Sequence, residues 1–124
     1  MPPTLRFTTV NIGAPDPHLL GRFYQQLLGG ELTADEPDWV VLRPPNGGVG
    51  IAFQTETDYT RPVWPAELDD QQIMMHLEIG VDDLESATAL ATAAGATVAD
   101  YQPQDDVRVC LDPAGHPFCL WLDQ

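Results

Sequence analysis

Lysine is absent from this chain, and arginine occurs only at Arg6, Arg22, Arg43, Arg61 and Arg108. Against those five stand 19 acidic residues, for a formal charge of −14 with histidine neutral. Phosphate binding requires a positive surface, so this balance excludes a nucleic-acid binder. It equally opposes docking on anionic lipid. No apolar run approaches the ~20 residues of a membrane span. The start, Met1-Pro2-Pro3-Thr4-Leu5-Arg6, lacks the basic-then-apolar plan of a signal peptide. A soluble, cytoplasmic domain is expected. Only two cysteines occur, Cys110 and Cys119, and two free, buried thiols are expected of them. There is no Ser-His-Asp order worth defending, no phosphate-binding glycine loop and no paired-cysteine metal motif.

What is present suits one globular domain. The chain has 124 residues, with 44% apolar content, which excludes a charged disordered tail. It also repeats itself. Thr9-Val-Asn-Ile-Gly-Ala-Pro-Asp16 aligns with His76-Leu-Glu-Ile-Gly-Val-Asp-Asp83 at an offset of 67. Val41–Phe53 resembles Cys110–Leu122 at an offset of 69. Two modules are expected, 1–58 and 70–124, joined by 59–69.

Each module reads as strand, helix, then two or three strands. Asp16 is a good N-cap, with Pro17 at the first helical position of a helix over 17–28. Leu19, Leu20, Phe23, Leu27 and Leu28 are expected on its buried face. A second helix spans 84–94, capped by Asp83 or by an Asp82/Glu85 box. Its stripe of Leu84, Ala87, Ala91 and Ala94 is thinner. Along the strands, side chains alternate between two faces. Val10 and Ile12 share one, as do Val49, Ile51 and Phe53, then Leu77, Ile79 and Val81, then Phe118, Leu120 and Leu122. The other face carries Gly, Ala, Cys, His and Trp, which suits a sheltered pocket better than open solvent. The turn at 112–116 pairs Leu111 with Pro117 and Cys110 with Phe118.

Four segments carry a resemblance: Val10–Asp16, Phe23-Tyr24 with Leu28-Gly29, His76–Leu84 and Leu111–Leu120. With Pro62-Val-Trp-Pro65, they make the chain resemble the vicinal oxygen chelate superfamily of glyoxalases, extradiol dioxygenases and bleomycin-resistance proteins. The likeness is greatest to its small bacterial glyoxalase-like proteins. It implies an α+β fold in which two βαβββ modules form a cupped, open eight-stranded mixed sheet. It also implies a homodimer. Metal-dependent members hold His or Glu ligands on the cup floor, and the matching positions here are Thr9, Gly50, His76 and Cys119. Only His76 keeps the usual ligand type, so no metal and no other cofactor is expected. His76 and Glu78 are two apart on a strand, with Cβ atoms about 7 Å apart, which permits chelation without suggesting it.

The expected ligand-binding ring is Thr9, Asn11, Gly50, Ala52, His76, Glu78, Cys119 and Trp121. Trp121 is the aromatic candidate for stacking. Trp64 either covers the cup or packs outside it. His18 is expected in solvent, His116 in a structural or exposed turn, and Trp39 in the core. Arg43 and Arg61 are surface charges or anchors for a carboxylate. The function expected is metal-free binding or sequestration of an aromatic small molecule, with the negative charge favouring cations. The alternative is a divalent-metal-dependent lyase, isomerase or dioxygenase.

Overall fold

The computed structural model describes residues 2–123. It divides into two compact units, Met1–Thr57 and Asp58–Gln124. The first runs β1 (Thr9–Ala14), α1 (Pro17–Leu28), β2 (Glu31–Glu36), β3 (Trp39–Arg43) and β4 (Gly50–Thr55). The second runs β5 (Leu77–Val81), α2 (Leu84–Ala94), β6 (Thr97–Val98), β7 (Val107–Leu111) and β8 (Pro117–Leu122). The expected α+β fold of two βαβββ modules is therefore present, and its eight strands form two four-stranded mixed sheets. Their orders are β1-β4-β3-β2 and β5-β8-β7-β6. In each, the first strand pairs parallel with the last, and the remaining pairs are antiparallel.

Both helices start where an aspartate satisfies the free amides of the first turn. Asp16 accepts from the backbone N–H of His18 and Leu19. Asp83, rather than the Asp82/Glu85 box, accepts from Glu85 and Ser86. In the first unit α1 buries Leu20, Phe23 and Tyr24. Tyr24 stacks on Phe53 at 5.7 Å, and Phe23 meets Tyr24 edge-on at 4.8 Å. Leu19 departs from expectation and is 55% exposed. It falls at the edge of a stripe whose centre is Leu20, Phe23 and Tyr24. His18 is likewise not free in solvent: its Nδ1 lies 2.8 Å from Asp35 on β2. Val49 lies before β4, at the exposed margin, not within the strand.

In the second unit the apolar stripe of α2 is small-sided, and Ala91 is its buried residue. β6 has two residues. The Gln102 side chain extends its work, donating to the Ala99 and Val109 carbonyls and accepting from the Val109 amide. Leu111 pairs with Pro117 and Cys110 with Phe118, as the turn predicts. Among the described residues no helix is long and apolar enough to cross a membrane.

The sheet register corrects one correspondence between the modules. Thr9 pairs with Gly50 on β1 and β4, and Leu77 pairs with Phe118 on β5 and β8. Gly50 and Pro117 each begin the last strand of their module. Cys119 therefore matches Ala52, not Gly50. On the other side of the hairpin Val41 matches Val109 and Leu42 matches Cys110, an offset of 68 rather than the 69 read from the sequence, because the hairpin loop is one residue longer in the first module.

Candidate ligand site

Within the first unit, Thr9 pairs with Gly50 and Asn11 with Ala52. Thr9 Oγ1 donates to Thr8 Oγ1 and accepts from Arg43 Nη2 at 3.4 Å. Arg43 Nη1 donates to the Thr8 carbonyl at 2.8 Å. Its guanidinium occupies the space that a Gly50 side chain would take, since a Cβ there would sit 2.6 Å from Nη1. Asn11 donates to Gln54 at 2.7 Å. Ala52 is fully buried. So Arg43 is a bound cation that fills the place left by glycine, not a bare surface charge. Trp39 is half-buried on β3, opposite Gln54.

The second unit brings its chemistry together more tightly. Glu78 pairs with Cys119 on the ladder, and Gly80 with Trp121. Residue 76 lies just before β5, free of the ladder, and the His76 side chain bends along the strand. His76 Nε2 reaches Glu78 Oε2 at 2.6 Å. The wide Cβ spacing expected for two strand residues is thus spanned by two long side chains. Since a carboxylate accepts, the Nε2 proton belongs to His76 in this pair. The Cys119 thiol also donates to Glu78. One carboxylate, half-exposed at 51%, therefore serves both neighbours.

Burial pushes the Cys119 thiol up to about 12, helped by the Glu78 charge and hydrogen bond. Burial likewise pushes Cys110 up to about 11, with Arg108 opposing. Both cysteines are free and buried, as expected. Thiolate is the reactive form, so neither is an activated nucleophile. Alkylation by iodoacetamide at pH 8 is expected to be far slower in native protein than in urea, where two thiols should titrate. The sign of the stability effect is fixed by the raised pKa values. Above about pH 9, where unfolded thiols ionise, the folded state cannot follow, so stability should fall as pH climbs towards 11. Flat urea midpoints from pH 8 to 11 would contradict the burial of both thiols.

Trp64 supplies the aromatic wall. Its ring lies 4.8 Å from His76, tilted by 34°, and Tyr101 meets it edge-on at 5.3 Å. The segment carrying Trp64 is fixed at two points. Val63 bridges to Gln72, and the Tyr59 hydroxyl donates to the Ala114 carbonyl at 2.6 Å. Burial, with the Asp112 charge second, pushes Tyr59 up to about 12, so it remains a donor. His116 is structural: its Nδ1 donates to the buried Asp112 carboxylate at 2.9 Å. Arg61 lies against Gly115, where its side chain would block a Cβ. Trp121, the aromatic singled out from the sequence, lies over Gly80, with Cζ2 3.2 Å from where a Cβ would stand. It sits two residues along the strand from Cys119. The sequence leaves Trp64 open between covering the cup and packing outside it, and does not point to Tyr101. Tyr101 follows α2 at a distance no strand alternation encodes, and the Pro-rich 62–65 segment has no periodicity to read.

A metal centre can be tested against these residues. The second unit offers one nitrogen, one oxygen and one sulfur donor from His76, Glu78 and Cys119, all within 4.8 Å of one another. That fits three corners of a four-coordinate ion. The matching positions of the first unit offer no imidazole, thiol or carboxylate. They hold the Thr9 hydroxyl, the Asn11 amide and the Ala52 methyl group, with the Arg43 guanidinium beside Thr9. The four-ligand set shared between two modules does not fit this chain.

The fold and this arrangement define a two-module α+β protein of the glyoxalase, bleomycin-resistance and dioxygenase type. A family model of the glyoxalase-like domain matches residues 9–121. The chain belongs to that family, within the vicinal oxygen chelate superfamily. Solved structures share the fold. One is a glyoxalase/bleomycin resistance protein/dioxygenase family enzyme from Burkholderia phytofirmans PsJN. It is 21% identical with a TM-score of 0.71, over 94% of this chain and 97% of that one. A glyoxalase-related enzyme from Fulvimarina pelagi is 18% identical with a TM-score of 0.67, over 97% and 89%. An antibiotic-binding protein from Streptomyces sp. CB03234 is 16% identical with a TM-score of 0.64, over 98% of both chains. No curated protein matches the chain.

Proposed function

We propose that this chain is a small-molecule-binding protein that holds a flat aromatic ligand without altering it and without a resident metal. The carrying observation is the aromatic wall of Trp64, His76 and Tyr101 beside the half-exposed Glu78 carboxylate. A stacking face next to a carboxylate favours aromatic cations, each face contributing about 0.5–2 kcal/mol. The chain's charge of −14 steers the same ligands. The antibiotic-binding relative from Streptomyces sp. shows the fold in a protein named for binding. The protein acts in the cytoplasm, as a homodimer, with its ligand as its partner.

The test is a screen of cationic, neutral and anionic aromatic compounds by quenching of tryptophan fluorescence. Trp64→Ala should weaken the best cation at least about tenfold, a loss of about 1.4 kcal/mol. Glu78→Gln should abolish the preference for cations over neutral analogues. Equal binding in both variants would place the ligand elsewhere.

A second reading, a metal-dependent lyase, isomerase or dioxygenase, is favoured by the His76, Glu78 and Cys119 cluster. Elemental analysis of protein purified without chelator separates the two. Far less than one equivalent of zinc, nickel, iron or manganese is expected. A full equivalent that disappears in His76→Ala would make the enzyme reading the correct one.

A further inference from the structure

The second module carries a groove for which the first has no room. In the first unit α1 lies close on β3 because Gly21 faces Val40. A Cβ at Gly21 would come within 2.8 Å of Val40 Cγ1 and 3.4 Å of Phe53. The repeat places Thr88 on α2 where Gly21 stands on α1, and Arg108 on β7 where Val40 stands on β3. A branched side chain against a long guanidinium stem cannot pack as glycine packs against valine. The result is an open groove of about 530 Å³ lined by Leu84, Glu85, Thr88, Ala89, Thr92 and Arg108.

The polar groups of this lining are unevenly satisfied. The Thr88 hydroxyl donates to the Leu84 carbonyl at 2.6 Å, and that of Thr92 to Ala89 at 3.1 Å. Neither needs a partner in the groove. Arg108 is half-buried, and its hydrogen bond is a long one of 3.5 Å from Nη1 to the neighbouring Val107 carbonyl. Among the described residues, the ion pairs within 4.0 Å are those of His18, His76 and His116. Arg108 has no carboxylate partner there, in a chain with 19 acidic residues. A guanidinium has five N–H donors in a planar fork matched to a carboxylate. Partial burial without that partner is costly.

We propose that this groove binds a monocarboxylate with an apolar body, its carboxylate on Arg108 and its body along Leu84, Thr88 and Ala89. The volume lies within the ~300–1,000 Å³ of small-molecule sites. Six lining residues are too few for a protein partner, which uses about 20–30 a side. Glu85 on the same lining opposes a second negative charge, so a dicarboxylate or phosphate is disfavoured. This site is separate from the wall at Trp64 and stands or falls independently of it.

Decanoate is the probe, titrated by calorimetry below its micelle concentration, with decanol and decanedioate as controls. Decanoate should bind at a single site, and both controls more weakly by about tenfold or more. Arg108→Gln should remove the preference for decanoate over decanol. Ala89→Leu fills the groove from an exposed helix position that should not disturb folding, and it should abolish binding of both. Trp64→Ala and Glu78→Gln should leave decanoate binding unchanged. No heat with decanoate in the unmodified chain, or equal binding after Ala89→Leu, would overturn the proposal. So would loss of binding in Trp64→Ala, which would assign the probe to the other site.

Discussion

Asp112→Ala is expected to cost about 3 kcal/mol or more, the usual loss when one partner of a buried charged pair is removed. The Asp112 side chain is fully buried. One carboxylate satisfies three donors: the amides of Ala114 and His116, at 3.0 and 2.9 Å, and His116 Nδ1. Alanine leaves all three behind in a turn that also binds itself through Asp112 and His116 backbone groups. The damage should spread, because the Tyr59 hydroxyl anchors to Ala114 and contacts His116 Nε2 at 3.3 Å. That anchor starts the segment that carries Trp64. Urea unfolding followed by tryptophan fluorescence should show a lower midpoint with an unchanged slope. Asp112→Asn, which keeps one accepting oxygen for the amides, should lose less. A loss below about 1 kcal/mol in Asp112→Ala, typical of an ordinary hydrogen bond, would mean that the turn holds without its carboxylate.

This turn also shows what was readable in the sequence. The Asp-Pro-Ala-Gly-His run marks a hairpin, and its flanks fix the pairing of Cys110 with Phe118. Turn chemistry is local, so the sequence states it directly. The same holds for both helices, whose aspartate caps and glycine ends bracket an apolar stripe. The module repeat followed from matching segments, and strand alternation identified the faces. The candidate site was readable only where it lies on strands: Glu78 and Cys119 face each other across β5 and β8. Three parts were hidden. His76 reaches Glu78 by side-chain reach outside the ladder. Trp64 arrives from a segment without periodicity, placed by Tyr59 and Val63. Arg43 fills the space of Gly50 from another strand, and no spacing within one strand predicts a side chain borrowed from the next.

Gly30→Ala should be about as damaging, near 3 kcal/mol, through strain of about 1–3 kcal/mol for a left-handed residue plus a backbone collision. Gly30 has φ of 101° where α1 turns into β2. A Cβ there would lie 2.2 Å from the Arg43 carbonyl and 3.0 Å from Pro44 Cα. Those atoms are backbone, so no side-chain rotation relieves the overlap. The chain must move at the Glu31 and Arg43 pair that opens the β2–β3 ladder. Arg43 is also the residue that holds Thr8 and Thr9, so the displacement should reach β1. Gly47→Ala is the control. Gly47 has a similar positive φ of 77° but nothing within 4 Å of its added Cβ, so it should lose only about 1 kcal/mol, the cost of the left-handed conformation alone. Thermal and urea unfolding of the two variants measure the difference directly. Equal losses would mean that backbone conformation decides both sites, and that the Arg43 carbonyl yields to the new methyl group without cost to the sheet.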